Sequence, residues 1–263
     1  LNYDYLNRLT SKCYSGAPAT TAVTYTYDGS NNFRSEPFTS LPPGWTSGGS
    51  ITYSSNGAHL VGASNSSNYL ALTEYLGEGM VAEFSFQQAS ANSRSVIFVN
   101  SGTSGQANYR CWGLLIQNNA IYRESCVGTN PCEDAYLMSL TNGVWYLGQL
   151  TIDNLERFVA KVWPVSNPSA AVQNTAAHTD WSGMAWKFKV FAITNSLDLI
   201  DYTQKQAFGV GRRTGMTDSS GSAAWSYDKR GRIPQENKIV GTSDKFTTQW
   251  AYNKTKIVKI ITL

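Results

Sequence analysis

The residues of this chain able to do chemistry are four cysteines, two histidines and a scatter of carboxylates. The dipeptide Asn118-Asn119 reads as a two-residue turn between strands at 109–117 and 120–125. Folding the chain there puts Cys111 opposite Cys126, Leu114 opposite Arg123 and Leu115 opposite Tyr122. A Cys111–Cys126 cross-strand disulfide follows if the Cβ directions permit. Its rival is the small loop closed by Cys126 and Cys132. Free thiols or a bond to Cys13 complete the options. Either of the first two bonds implies an oxidising compartment. Zinc is disfavoured, because the cysteines lack paired ligand spacing and only His59 and His178 are present to assist.

Glycoside hydrolysis needs two carboxylates about 5 to 9 Å apart across a cleft. Glu83 sits alone on its strand, Glu133-Asp134 falls in the cysteine loop, and Asp198 and Asp201 read as contacts near the end of a domain. Serine or cysteine nucleophiles need a base. His59 alternates with Leu60 as a surface strand residue, His178 lies in a polar loop, and no Gly-x-Ser-x-Gly elbow occurs. The expectation is a protein that is not an enzyme. The one cofactor considered is a structural calcium ion on loop oxygens of Asp153, Asn154 and Asp180.

Sugar binding asks for exposed aromatic faces beside polar side chains. Trp112, Tyr122, Trp163, Trp181 and Trp186 are the aromatic candidates. Trp186 shares a strand face with Phe188 and Val190, which assigns it to a core. Trp181, flanked by Asp180, Ser182 and Gly183, is the best loop aromatic. The expected ligand set is Trp181, Tyr122 and Trp163 for stacking, with Arg123 and Gln117 for hydrogen bonds.

Composition has the profile of an extracellular β-protein. Charged residues make up 15% of the 263, against about 25% in ordinary globular chains. The net charge of +3 is not massed on one segment, which argues against nucleic acid. No apolar run approaches the ~20 residues of a membrane helix. Polarity comes from Ser, Thr, Asn and Gly, beside 8 Trp, 15 Tyr and 10 Phe. Aromatic and hydroxylated residues favour strands, while Asn and Gly supply turns. Period-two alternation places strands at 22–27, 59–61, 80–87, 94–100, 146–152, 157–163 and 186–193. Almost nothing reads as helix.

A pattern near both ends is missing from the middle. It reads Tyr3-Asp4 and Tyr27-Asp28 at the start, and Tyr227-Asp228 with the echo Tyr252-Asn253 at the end. The spacing of roughly 25 residues marks a repeat architecture. After Tyr27-Asp28-Gly29 the pattern stops, and it resumes at Gly209-Val210-Gly211-Arg212. Splicing these pieces completes one repeat unit. Repeat hairpins are therefore expected at 1–29 and 209–263, with an insert at 30–208 whose ends lie close together. Tyr supplies a stacking body and a hydroxyl, and Asp caps the turn, which assigns Tyr3, Asp4, Tyr27, Asp28, Tyr227 and Asp228 a structural role.

The stretches YDYLNRLTS, TTAVTYTYDG, GVGRRTGMTDSSGSAAWSYDKRGRI and TTQWAYN resemble the Rhs or YD-repeat family of polymorphic toxins and teneurins. That resemblance implies β-hairpins wound into a shell and a chain that is part of a longer polypeptide. The stretches MVAEFSFQ, YRCWGLLIQNNAIYR, GVWYLGQLTIDNLERFVAKVWP and WKFKVFAITNSLDLIDY resemble a laminin-G-like or concanavalin-like jelly roll. The resemblance implies a carbohydrate-binding or adhesive domain, although some relatives hydrolyse glycans. Such hydrolases carry Glu-x-Asp-x-x-Glu or a near variant, which is absent here. The combined expectation is an all-β fold, an antiparallel jelly-roll sandwich inserted between YD-repeat β-hairpins, located extracellularly or at a cell surface. Its partners would be glycans, cell-surface molecules and the remainder of its own polypeptide. The rival reading is a packing domain without a ligand.

Overall fold

Alternating apolar and polar residues become antiparallel strands along most of the chain. The computed structural model describes residues 2–3, 9–12, 23–27, 34–62, 68–73, 76, 80–88, 94–152, 157–177, 186–206, 212–228, 230–241, 244–252 and 257–262. Among them the only helical element is a single 3-10 turn at Pro168–Ala170, and no helix is long and apolar enough to cross a membrane. Two units separate. One comprises Leu1–Phe33, Gly77–Met80 and Lys205–Leu263, the other Arg34–Leu76 and Val81–Gln204.

The first unit opens with β1 (Asn2–Tyr3), β2 (Leu9–Lys12) and β3 (Val23–Tyr27). The second contains β4 (Arg34–Pro37), β5 (Trp45–Gly48), β6 (Ile51–Ser54), β7 (Gly57–Gly62), β8 (Asn68–Leu72), β9 (Met80–Gln88), β10 (Arg94–Ser101) and β11 (Arg110–Gln117). It continues with β12 (Ala120–Val127), β13 (Glu133–Ser139), β14 (Trp145–Ile152), β15 (Arg157–Pro164), β16 (Val172–Ala177) and β17 (Lys187–Gln206). The chain then forms β18 (Arg213–Asp218), β19 (Gly221–Trp225), β20 (Gln235–Val240), β21 (Asp244–Tyr252) and β22 (Ile257–Thr262) of the first unit.

In the second unit the 20-residue β17 serves two layers. Its first half lies between β10 and β8, in a layer ordered β13-β12-β11-β10-β17-β8-β5. Its second half pairs with β9, β7 and β4, in a layer that continues through β14, β15 and β16. The register against β10 skips Ile193, pairing Arg94 with Thr194 and Ser95 with Ala192. One extra residue reverses which side of a strand faces inward. Phe188, Val190 and Ala192 point to the core before the bulge, and Leu197 and Leu199 after it.

The core is aromatic. Phe188 contacts Phe84, Tyr202 and Trp45 with ring centroids 5.3, 4.7 and 6.0 Å away. Trp112 of β11 meets Phe158 of β15 at 6.0 Å, and Phe158 meets Trp186 at 5.0 Å. Each such pair adds about 0.5–1.5 kcal/mol beyond its area burial. Trp112 and Trp186, candidate sugar platforms by residue type, are fully buried.

The eight strands of the first unit form one antiparallel sheet ordered β1-β2-β3-β18-β19-β20-β21-β22. Strand β3 thus pairs with β18, with Tyr27 opposite Arg213, although the whole second unit lies between them in sequence. Among the described residues the strands of this sheet supply one buried apolar side chain, Ala223. Polar ladders and stacked guanidinium groups hold it instead. Gln249 donates to Gln235 Oε1 at 3.0 Å, and Gln235 donates to Asn237 Oδ1 at 2.9 Å. Arg213 lies over Tyr25 and Trp225, Arg212 over Tyr227, and Arg232 over Tyr252. Asp228 is fully buried and accepts from the backbone N–H groups of Arg230 and Arg232 and from Arg232 Nε.

Candidate functional site

The outer face of the β13–β5 layer carries a second apolar cluster, separate from the core. Val96, Phe98, Cys111, Leu115 and Cys126 form it, with Tyr109, Tyr122, Phe191 and Ile193 packed against them. A solvent-facing sheet surface ordinarily alternates to polar residues. Here it is apolar instead, and its five central side chains are 1–7% exposed, so the cluster forms a largely covered floor beneath a trough. Phe98 and Phe191 stack with centroids 5.6 Å apart at 18°, and Tyr69 meets Phe191 at 5.7 Å.

A trough of about 460 Å³ runs over this pavement. That volume lies within the usual range of ligand clefts, about 300–1,000 Å³. Register explains its shape. Glu124, Gly113, Phe98 and Lys189 are successive cross-strand partners on β12, β11, β10 and β17. Gly113 contributes no side chain to that row, which lets the β10 backbone and Phe98 approach β11 closely. A Cβ at Gly113 would overlap Ile97 O and the Cα and Cβ of Phe98. The loop carrying Gly102, Thr103 and Ser104 lines the trough beside Asn100. Asn100 is buried, and its Oδ1 accepts no hydrogen bond among the described residues.

The polar groups of the trough are electrostatically unusual. Glu124, 8% exposed, faces Asp134 across β12 and β13. Burial, then the Asp134 charge, push its carboxyl from an ordinary 4.5 to about 7, against the pull of Arg94. Asp134 is also raised, chiefly by burial, with Arg94 and Arg123 opposing. Tyr109 is pushed up to about 12 by burial and by Glu124. Lys189 is lowered by burial and by Lys187. A protonated Glu124 offers an O–H donor at neutral pH, while Asn100 Oδ1 offers an acceptor.

The sulfur cluster borders the same trough. Cys126 is disulfide-bonded, and both Cys111 and Cys132 lie within bonding reach of it. Cys126 and Cys132 line the trough wall.

A second cleft of about 470 Å³ lies on the other layer, between the β6–β7 hairpin, Trp145 and β17. Here His59 Nδ1 and Asp198 Oδ1 are 2.5 Å apart, tying β7 to β17. Asp201 Oδ1 accepts from Ser85 N at 2.8 Å, which holds β17 against β9. Trp145 is the single aromatic residue of this cleft, so it has no stacking pavement.

The residues expected from sequence to bind sugar are not gathered together. Tyr122 lies on the trough face, beside Tyr136 at 5.9 Å. Arg123 points to the other side of the same strand, with its guanidinium over buried Trp112 at 5.3 Å. Alternation forces this, since adjacent strand residues face opposite ways. Gln117 ends β11 opposite Arg94 and Ala120. Trp163 is on the other layer, under Lys161 Nζ at 5.1 Å. Trp181 and the expected calcium ligands Asp153, Asn154 and Asp180 lie outside the described residues, as do Asp4 and Asp28. Glu133-Asp134, expected in the cysteine loop, begins β13 instead. Glu124, Phe98 and Phe191 were missed as site residues. The signal available was the apolar character of both strand faces over 94–99 and 111–116.

No family model matches the sequence, and no curated relative matches it. Solved structures do resemble it. The CBM2 module of the evolved Dit of Lactobacillus casei BL23 phage J-1 superposes with a TM-score of 0.50 at 10% identity, covering 69% of this chain and 97% of that one. The carbohydrate-binding module CBM66 from Bacillus subtilis gives 0.46 at 11% identity, covering 62% and 96%. Bacillus licheniformis β-glucanase gives 0.48 at 11%, covering 66% and 98%. At such identities the likeness shows a fold alone. The chain carries an antiparallel jelly-roll sandwich.

Proposed function

We propose that this chain is a non-catalytic segment of a YD-repeat shell bearing a carbohydrate-binding sandwich, with the glycan held in the trough over Phe98 and Phe191. The observation that supports the reading is a trough floored by Phe98 and Phe191 and bordered by the buried Glu124 carboxyl and by Asn100 Oδ1, which has no partner among the described residues. Sugar rings present apolar faces to such rings and hydroxyls to such groups. Lys189 and Arg94 of the trough face Glu124, whose carboxyl is raised to about 7, and the resulting neutral to mildly basic lining suits a neutral or mildly acidic glycan. A single site of this kind binds weakly, on the order of 10 μM to 1 mM, or about 4 to 7 kcal/mol.

The shell part of the reading rests on the first unit. Its sheet passes from β3 directly to β18, as a hairpin array with an insertion in one loop would. Among its described side chains the strands bury one apolar residue, Ala223, which fits a repeat array stabilised by neighbouring elements. Similarity in fold to carbohydrate-binding modules is consistent with a location outside the cell or on its surface.

One observation favours a second reading. Glu124 lines the trough with Asp134 as its cross-strand partner, and an acid with a raised pKa beside a second carboxyl is the equipment of a glycosidase. A glycan array with the full chain, followed by assay of reducing-end release from each bound glycan, separates the two. Binding without release supports the module. Release that disappears in Glu124→Gln supports the hydrolase. Neither binding nor release leaves the sandwich as a packing domain.

A further inference from the structure

Cys111 and Cys126 are register partners on β11 and β12, and Cys132 closes the return from β12 to β13. The three sulfurs lie within 4.8 Å of one another. Cys126 stands in bonding reach of both neighbours, across Cα separations of 4.9 Å to Cys111 and 4.3 Å to Cys132. Both spacings lie near the short end of the usual disulfide range, so either bond closes without moving a strand. A disulfide sulfur makes one S–S bond. Within this trio one of the two outer cysteines is then left outside the bond.

We propose that Cys111, Cys126 and Cys132 form a thiol–disulfide exchange site, in which one disulfide passes between Cys111 and Cys132 through the shared sulfur of Cys126. In the forward step the Cys132 thiolate attacks Cys126 Sγ of the Cys111–Cys126 bond. The Cys126–Cys132 bond forms as Cys111–Cys126 breaks, and the electron pair leaves on Cys111 Sγ. Cys111 takes up a proton in place of the one Cys132 released. One disulfide and one thiol stand on each side, so no oxidant or reductant is consumed. Attack requires the nucleophile and leaving group on the same central sulfur, which is the place Cys126 holds.

The two isomers differ at the surface. Cys132 is exposed, whereas Cys111 and Cys126 are 1% and 4% exposed. Bonding to Cys111 leaves a reactive thiol on the trough wall and frees the 127–132 return. Bonding to Cys132 closes that return and hides the remaining thiol. The site thus presents or withdraws an attachment point for disulfide-bearing or electrophilic molecules. This inference does not depend on the glycan reading.

The test uses the full chain carrying Cys13→Ser, purified without reductant and treated in the folded state with increasing N-ethylmaleimide. The expected result is one adduct, at Cys132, in every molecule, with Cys111–Cys126 as the final bond. Labelling has two phases. The fast one scales with reagent and the slow one is independent of it, because it reports conversion of the Cys126–Cys132 isomer. In the same background Cys111→Ser and Cys132→Ser each keep a disulfide to Cys126 and take up no label. A single phase linear in reagent, absence of labelling, an adduct at Cys111, three adducts, or a stoichiometric bound metal would each overturn the proposal.

Discussion

Glu124 on β12 stands opposite Asp134 on β13, and Gly113 on its other side offers it no side chain. Burial first, and then the Asp134 charge, push this carboxyl up to about 7. The unfolded chain loses that proton near pH 4.5, so between 4.5 and 7 the folded state holds one proton more. Stability contributed by protonated Glu124 is complete below pH 4.5 and is lost as pH rises to 7. The loss is about 2 to 3 kcal/mol. Urea midpoints of the wild type should fall across that window, with Asp134 acting in the same direction. In Glu124→Gln most of the fall disappears, and the variant is the more stable protein at pH 8.

Gly113 lets β10 and β11 approach closely beneath the trough. Replacing it with Ala drives a Cβ into the backbone of β10, which cannot yield without breaking the register of the layer. The cost should be at least about 1–3 kcal/mol in chemical denaturation. Any glycan affinity should weaken with it, because the β10 segment displaced by the methyl carries Phe98 of the trough floor.

Asp228 anchors its turn through two backbone amides and the Arg232 guanidinium. Asp228→Ala removes the buried acceptor shared by two backbone N–H groups and the Arg232 guanidinium. It should cost about 3–5 kcal/mol, with Asp228→Asn intermediate. Hydrogen exchange should show the loss of protection in β19 to β21 before the sandwich responds.

The sandwich holds its own aromatic core, and the proposed boundaries leave every strand pair of that unit intact. Residues 30–208 expressed alone should give near-UV circular dichroism and one cooperative thermal transition. A chain lacking both would overturn the modular reading.

Much of this architecture is legible in the sequence, for identifiable reasons. Asn118 and Asn119 both adopt positive φ, 52° and 59°, and a two-residue turn of that kind fixes the pairing of everything beside it. Hence the Cys111, Leu114 and Leu115 partners follow from two residues. Strand β17 is legible only to Ile193, because the bulge there reverses the alternation and Thr194-Asn195-Ser196 imitates a turn. Strand β13 is hidden for another reason. It is an edge strand with mostly exposed side chains, so no buried face imposes a period. The trough residues escape because apolar residues on both faces of β10 and β11 look like one continuous core. Only the third dimension separates Phe98 and Leu115 from Ile97 and Leu114.

The central claim is that the Phe98–Phe191 pavement holds a glycan, and calorimetry on the full chain tests it most directly. With the best array glycan, wild type should bind between about 10 μM and 1 mM. Phe191→Ala and Tyr69→Ala should each weaken binding by about tenfold, or 1.4 kcal/mol, while near-UV circular dichroism confirms that the variants are folded. Binding by wild type and both variants with equal affinity, or no binding of any glycan at millimolar concentration, would contradict the account.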